Sequence, residues 1–126
     1  MPSPRTMARL MVVLKPVVAC AAGELIPQLE PVLQALEATV DERSATHLGG
    51  SFVQAPVGLK VQLFGDVQPR SDGYELEIVL MSGEPMAGGS RNTRLALEGL
   101  LSEVETRSPG LKVVFRSDRD GPCRPR

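Results

Sequence analysis

The chain has 126 residues, enough for one domain with its own core and too few for two. Its 42% hydrophobic and 23% charged residues match globular usage and argue against a disordered or fibrous chain, while 3% aromatics without Trp leave few rings for stacking. A net charge of −1 lacks the positive footprint that general nucleic-acid binding requires.

Residues 1–7, MPSPRTM, carry two prolines and no periodicity, and are expected to form a flexible arm. From Arg9 to Val18 a β-branched run predicts a buried strand, with Leu10, Val12 and Leu14 on one face and Met11, Val13 and Lys15 on the other. Lys15 and Pro16 interrupt this run, making it too short for a membrane span and awkward as a signal-peptide core. A cytoplasmic protein that stays off the membrane is therefore expected, and the excess of Arg over Lys fits a bacterium with a GC-rich genome. Cys20 and Cys123 lie in dissimilar settings, so no disulfide framework is indicated.

Leu29, Leu33, Leu36 and Val40 recur at helical spacing and predict a helix between Gly23 and Arg43, with Pro27 and Pro31 in its first turns. The segment THLGGSFVQAP, which holds the single histidine His47, reads as a loop. Two alternating segments follow, GLKVQLFGDV and YELEIVLM. They predict a hairpin joined by about six residues, with Leu59, Val61, Leu63, Leu76, Ile78 and Leu80 inward. A second helix is expected from Asn92 to Arg107, stopped by Ser108, Pro109 and Gly110, and then a last strand, LKVVFRS, with Leu111, Val113 and Phe115 inward. Residues 119–126 have no apolar pattern and are expected to be a flexible tail, leaving one domain over 8–118.

The expected order is strand, helix, strand, strand, helix, strand. Two split βαβ units with right-handed crossovers predict an α+β fold of ferredoxin-like type, a four-stranded antiparallel sheet with two helices on one face. The likeness is one of element order only, and such a fold hosts many unrelated functions.

If both helices cover the Leu76 face, the opposite face is open. It would carry Met11, Val13, Lys15, Lys60, Gln62, Phe64, Glu75, Glu77, Val79, Met81, Lys112, Val114 and Arg116. Carboxylates at Glu75 and Glu77 stand where an RNA-binding sheet would place aromatic rings, which argues against RNA. Lys15 and Glu77 on adjacent strands could pair, which is the pattern of an ordinary solvated sheet surface; the alternative is a docking face with Val13, Phe64, Val79, Met81 and Val114 as its apolar centre and the charges setting register.

A second candidate is the stretch Gly88, Gly89, Ser90, Arg91, Asn92, Thr93, Arg94 before the second helix. Ser90 or Asn92 can cap the helix and the glycines can make the turn. Arg91 and Arg94 run against the helix dipole, and a bound phosphate or carboxylate would resolve that conflict. Other chemistry is poorly served. Cys20 is expected to be buried and inert, since no CxxC or phosphatase loop surrounds it. One His and two separated Cys do not supply a zinc site. The Asp118–Asp120 and Glu75–Glu77 pairs read as solvated charge.

No catalytic residue, metal or cofactor is indicated. The expected function is that of a small non-catalytic regulatory or accessory module that self-associates, as a homodimer, or docks on a protein through its open sheet face. The alternative is a sensor of a small anionic metabolite, using the loop before the second helix.

Overall fold

The computed structural model describes residues 7–85 and 89–121. Six strands form one antiparallel sheet: β1 (Met7–Pro16), β2 (Thr39–Arg43), β3 (His47–Gln54), β4 (Leu59–Arg70), β5 (Gly73–Pro85) and β6 (Leu111–Arg116), in the spatial order β2-β3-β4-β5-β1-β6. Among the described residues three α-helices accompany them: α1 (Leu25–Ala35), α2 (Arg91–Arg107) and the single turn α3 (Ser117–Asp120). The expectation of a four-stranded ferredoxin-like sheet with two helices is therefore corrected, because a hairpin, β2–β3, extends the sheet beyond β4.

That hairpin arises from residues read as helix end and loop. The α1 helix stops at Ala35, and Glu37 adopts a left-handed backbone (φ 54°) that a helix cannot continue. Pro27 lies in the first turn of α1 and Pro31 inside the helix. Val40 then lies on an exposed strand instead of closing the apolar stripe. In β3 the pair Gly49–Gly50 lowers strand propensity, which hid it from a pattern reading. Gly50 has a steric reason to be there: a Cβ on it would stand 2.3 Å from the Thr39 carbonyl oxygen of β2.

The β4–β5 hairpin is tighter than expected. Arg70 pairs with Gly73, so the connection is Ser71 and Asp72 alone. Pro69 is tolerated inside β4 because β3 pairs only as far as Asp66, leaving Pro69 without a neighbour on that side.

The main core lies between the sheet and α1 plus α2. Leu10, Val12 and Leu14 of β1, Val61 and Leu63 of β4, and Leu76, Ile78 and Leu80 of β5 point into it, as alternation required, and meet Leu25, Leu29 and Leu33 of α1 and Leu97, Leu100 and Val104 of α2. In β1 every residue from Leu10 to Leu14 is buried. A strand covered on both faces reads as one unbroken apolar run, which is also the look of a signal-peptide core. No helix among the described residues is long and apolar enough to cross a membrane.

The β6 strand departs from its predicted register. Leu14 pairs with Val113 and Val13 with Phe115, so Val114 is the extra residue of a β-bulge. The bulge turns Phe115 away from the helices and turns Arg116 towards them. The short α3 then takes up residues 117–120, two of which fall in the expected tail; residues 1–6 of the expected arm, Gly88, Cys123 and the rest of 122–126 lie outside the described residues.

Candidate functional site

Because side chains alternate across a strand, the register fixes which residues share the sheet face opposite α1 and α2. At one level stand Phe115, Val13, Glu77, Asp66 and His47, on β6, β1, β5, β4 and β3 in turn. At the next stand Met11, Val79, Phe64, Gly49 and Glu42, and beyond them Arg9, Met81, Gln62 and Ser51. Lys15 faces Lys112 at the other end of β1.

A second apolar cluster sits at the middle of this face. Met11, Val13, Val79 and Phe115 are buried, and half-buried Phe64 and Met81 pack against them. Of the expected docking residues, Val13, Phe64, Val79 and Met81 belong to it. Val114 does not; it is an exposed bulge residue, and Phe115 takes its place in the cluster. Only a bulge produces that exchange, and the sequence LKVVF carries no mark of one.

The charges are arranged differently from the expectation. Lys15 bonds Asp72 in the β4–β5 turn, not Glu77. Glu75, expected to be solvated, is 2% exposed and forms an ion pair with Arg70 (Nε–Oε1 2.9 Å), which the longer β4 strand brings alongside. Arg116 leaves the open face and bonds Glu98 of α2 and Asp118, the latter at 2.8 Å. Asp118 is consequently a buried partner rather than solvated charge, and Asp120 accepts the Arg116 backbone N–H at 2.8 Å. Desolvation pushes the Asp118 carboxyl up, but the Arg116 hydrogen bonds together with the positive charges of Arg116 and Arg119 outweigh it and hold the group below its ordinary range.

His47 is the residue of this face that was expected in a loop. It lies on β3, with Nδ1 2.7 Å from Asp66 Oδ1 and Nε2 3.0 Å from Glu42 Oε2. The hydrogen bond to Asp66 and then that to Glu42 raise its pKa above the ordinary value. No local spacing could show this, since the three residues come together only when β2, β3 and β4 pair. Among the described residues no group of three or more His, Cys, Asp or Glu side chains is arranged to hold a metal ion.

The loop before α2 has an unexpected tenant. Ser90 stands at the N-cap in a left-handed conformation (φ 49°) and its side chain makes no capping bond. Glu84, from the end of β5, caps the helix instead: it accepts the Asn92 N–H at 3.1 Å and the Thr93 N–H and hydroxyl, each at 2.8 Å. Desolvation opposes the charged form, but the bonds from Thr93 and Asn92 outweigh it and lower the Glu84 pKa. An intramolecular carboxylate thus occupies the helix-terminal position to which the alternative reading assigned a phosphate or carboxylate ligand. Gly89, Ser90 and Arg94 line an open depression of about 460 Å³ together with Arg9, Ser117 and Asp118. Arg91 and Arg94 themselves are exposed.

Cys20 is half-buried at the edge of the main core, where Gln28 Nε2 donates to its sulfur at 3.7 Å. A groove of about 690 Å³ between α2 and β6 has Leu101, Val104, Leu111 and Val113 among its walls. No family model matches the chain, and a search of curated proteins finds no match to it.

Proposed function

We propose that this protein acts by association, as a regulatory or accessory module that pairs with a second copy of itself through the sheet face opposite α1 and α2. The observation that carries the reading is the apolar cluster of Met11, Val13, Val79, Phe115, Phe64 and Met81 on that face. The distribution of charge around the cluster selects a second copy as the occupant. Arg9, Lys112 and Lys15, the last bonded to Asp72, lie on its β1–β6 side, and on its β5–β2 side the carboxylates of Glu77, Asp66 and Glu42 outnumber the cationic groups Lys60 and His47. A two-fold axis parallel to the strands would lay the basic side of one face over the acidic side of its mate, with apolar centre on apolar centre.

The sheet edges favour the face over strand-to-strand extension. In β2, a register shift between Val40 and Glu42 and the charged run Asp41–Glu42–Arg43 disrupt one edge; the Val114 bulge disrupts the other. Both are devices that blunt edge pairing.

Light scattering over a concentration series tests the reading. The parent should move from a mass near 13.5 kDa towards twice that value, and Met81→Glu, at the half-buried margin of the cluster, should stay monomeric with an unchanged circular dichroism spectrum. A parent whose mass stays at that of one chain up to millimolar concentration would sink the proposal.

A further inference from the structure

The His47 bridge has a consequence for the edge of the sheet. Strand β2 is exposed at all five residues, so no buried side chain anchors it to the core. Its described side-chain bonds to the rest of the fold are Arg43 to Glu30 of α1, and Glu42 to His47. His47 in turn reaches β4 through Asp66, and the turn before it is fixed by Ser44 Oγ accepting the His47 N–H at 3.0 Å and by the Val67 N–H donating to the Thr46 carbonyl at 2.9 Å. One imidazole therefore links three adjacent strands.

We propose that His47 is a pH-operated latch on the edge of the sheet: protonated, its ring donates to Glu42 and Asp66 at once and holds β2 down; deprotonated, it releases β2. A neutral imidazole has a single N–H, so one of its two carboxylate partners must then face a bare nitrogen lone pair. The groups facing the ring are Glu42 from β2 and Asp66 from β4, with Glu77 of β5 directly across from Asp66. All three are carboxylates, so loss of the imidazolium leaves like charges gathered at one point of the face. Release of β2 would uncover β3, whose edge carries Gly49 and Gly50 and no carboxylate or guanidinium, in place of the charged and bulged edge of β2. The latch would thereby gate an edge able to pair with another strand.

The direction follows from the raised folded pKa. The stabilisation is complete below the unfolded value of 6.5 and is lost as pH rises through the folded value. Each unit of difference corresponds to roughly a tenfold change in the opening equilibrium of β2.

His47 is the only histidine, so its titration can be read from one imidazole resonance by NMR while amide exchange, corrected for the intrinsic rate, is followed in the same samples. The amides of residues 39–43 should lose protection in step with the His47 titration, on the order of tenfold per unit of raised pKa. Amides of β1 and β5 should not change, and this also shows whether each variant is folded. His47→Gln should show low protection of residues 39–43 with no step in that pH range, and Asp66→Asn should bring the titration back towards the ordinary value. Protection of residues 39–43 that ignores pH in the parent, or a step that persists in His47→Gln, would overturn the latch.

Discussion

At the scale of single residues, Glu84 shows how a helix cap can come from far outside the helix. Its carboxylate takes the N–H groups of Asn92 and Thr93, which would otherwise go unsatisfied in the first turn of α2. Glu84→Ala should therefore cost about 1 kcal/mol, the usual loss on removing a cap, as read from urea unfolding at neutral pH. The pH dependence has a defined sign. Because the folded pKa lies below the ordinary 4.5, the stabilisation is complete above that value and disappears as pH falls through the folded one. Parent and Glu84→Ala should differ at pH 6 and converge in acid. Parallel curves down to the lowest measurable pH would mean that Glu84 does not cap α2. The arrangement also accounts for Arg91 and Arg94 at the positive end of α2: the Glu84 carboxylate, brought to the first turn from β5, offsets the charge that a dipole argument alone would penalise.

Among the elements, β2 is the least anchored and Gly50 the residue that lets it lie where it does. A Cβ at Gly50 would meet the Thr39 carbonyl oxygen at 2.3 Å and the Val40 Cα at 3.1 Å, both backbone atoms that cannot step aside unless β2 moves. At the neighbouring Gly49 the nearest atoms are Glu42 Oε2 at 3.5 Å and Phe64 Cδ1 at 3.7 Å, which is ordinary contact. Adjacent glycines should consequently respond in opposite ways. Gly50→Ala should lower the melting temperature and strip protection from the amides of residues 39–43. Gly49→Ala should melt at or above the parent, since removing glycine freedom from the unfolded chain is worth about 0.4–1 kcal/mol where the native backbone permits it. Equal behaviour of the two in calorimetry would contradict the β2–β3 register. The β6 bulge belongs to the same scale, because one extra residue at Val114 exchanges Phe115 and Arg116 between faces.

For the whole molecule, the sheet divides the apolar residues into two clusters of unequal size. The larger is closed by α1 and α2; the smaller, on the other face, is bounded by opposite charges on its two sides. If two copies meet there with basic side over acidic side, association should weaken as ionic strength rises from 0.05 to 0.5 M, since exposed charges beyond a Debye length of about 10 Å at 0.1 M are screened. The apolar centre predicts a residual association that salt does not remove. Sedimentation equilibrium at the two salt concentrations measures both parts. An association constant that is unchanged or larger at high salt would leave the apolar contact but remove the charge-set two-fold arrangement.

Alternation and helical spacing were legible wherever one strong period ran through a segment. Leu76, Ile78 and Leu80, Val61 and Leu63, and the Leu97–Leu100–Val104 stripe all point into the main core as local periodicity requires, because burial of an apolar face is decided within one element. The partition of Val13, Val79, Phe64 and Met81 to the other face follows from the same rule. What local pattern could not reach were features that depend on a second element. Strands β2 and β3 exist because Gly50 admits β2 and because β4 offers an edge, although TVDER and HLGGSFVQ alone carry weak strand signals. The cap from Glu84, the Arg70–Glu75 and Arg116–Asp118 pairs, and the His47 bridge join residues whose spacing in the chain fits no motif. Period within one element, which the sequence by itself carries, decided which face each side chain of an unbroken strand or helix takes; tertiary structure decided how many strands the sheet holds, which charges meet, and where β6 leaves its period, with Val113 exposed and Phe115 on the other face, since those depend on where separate elements are brought together in space.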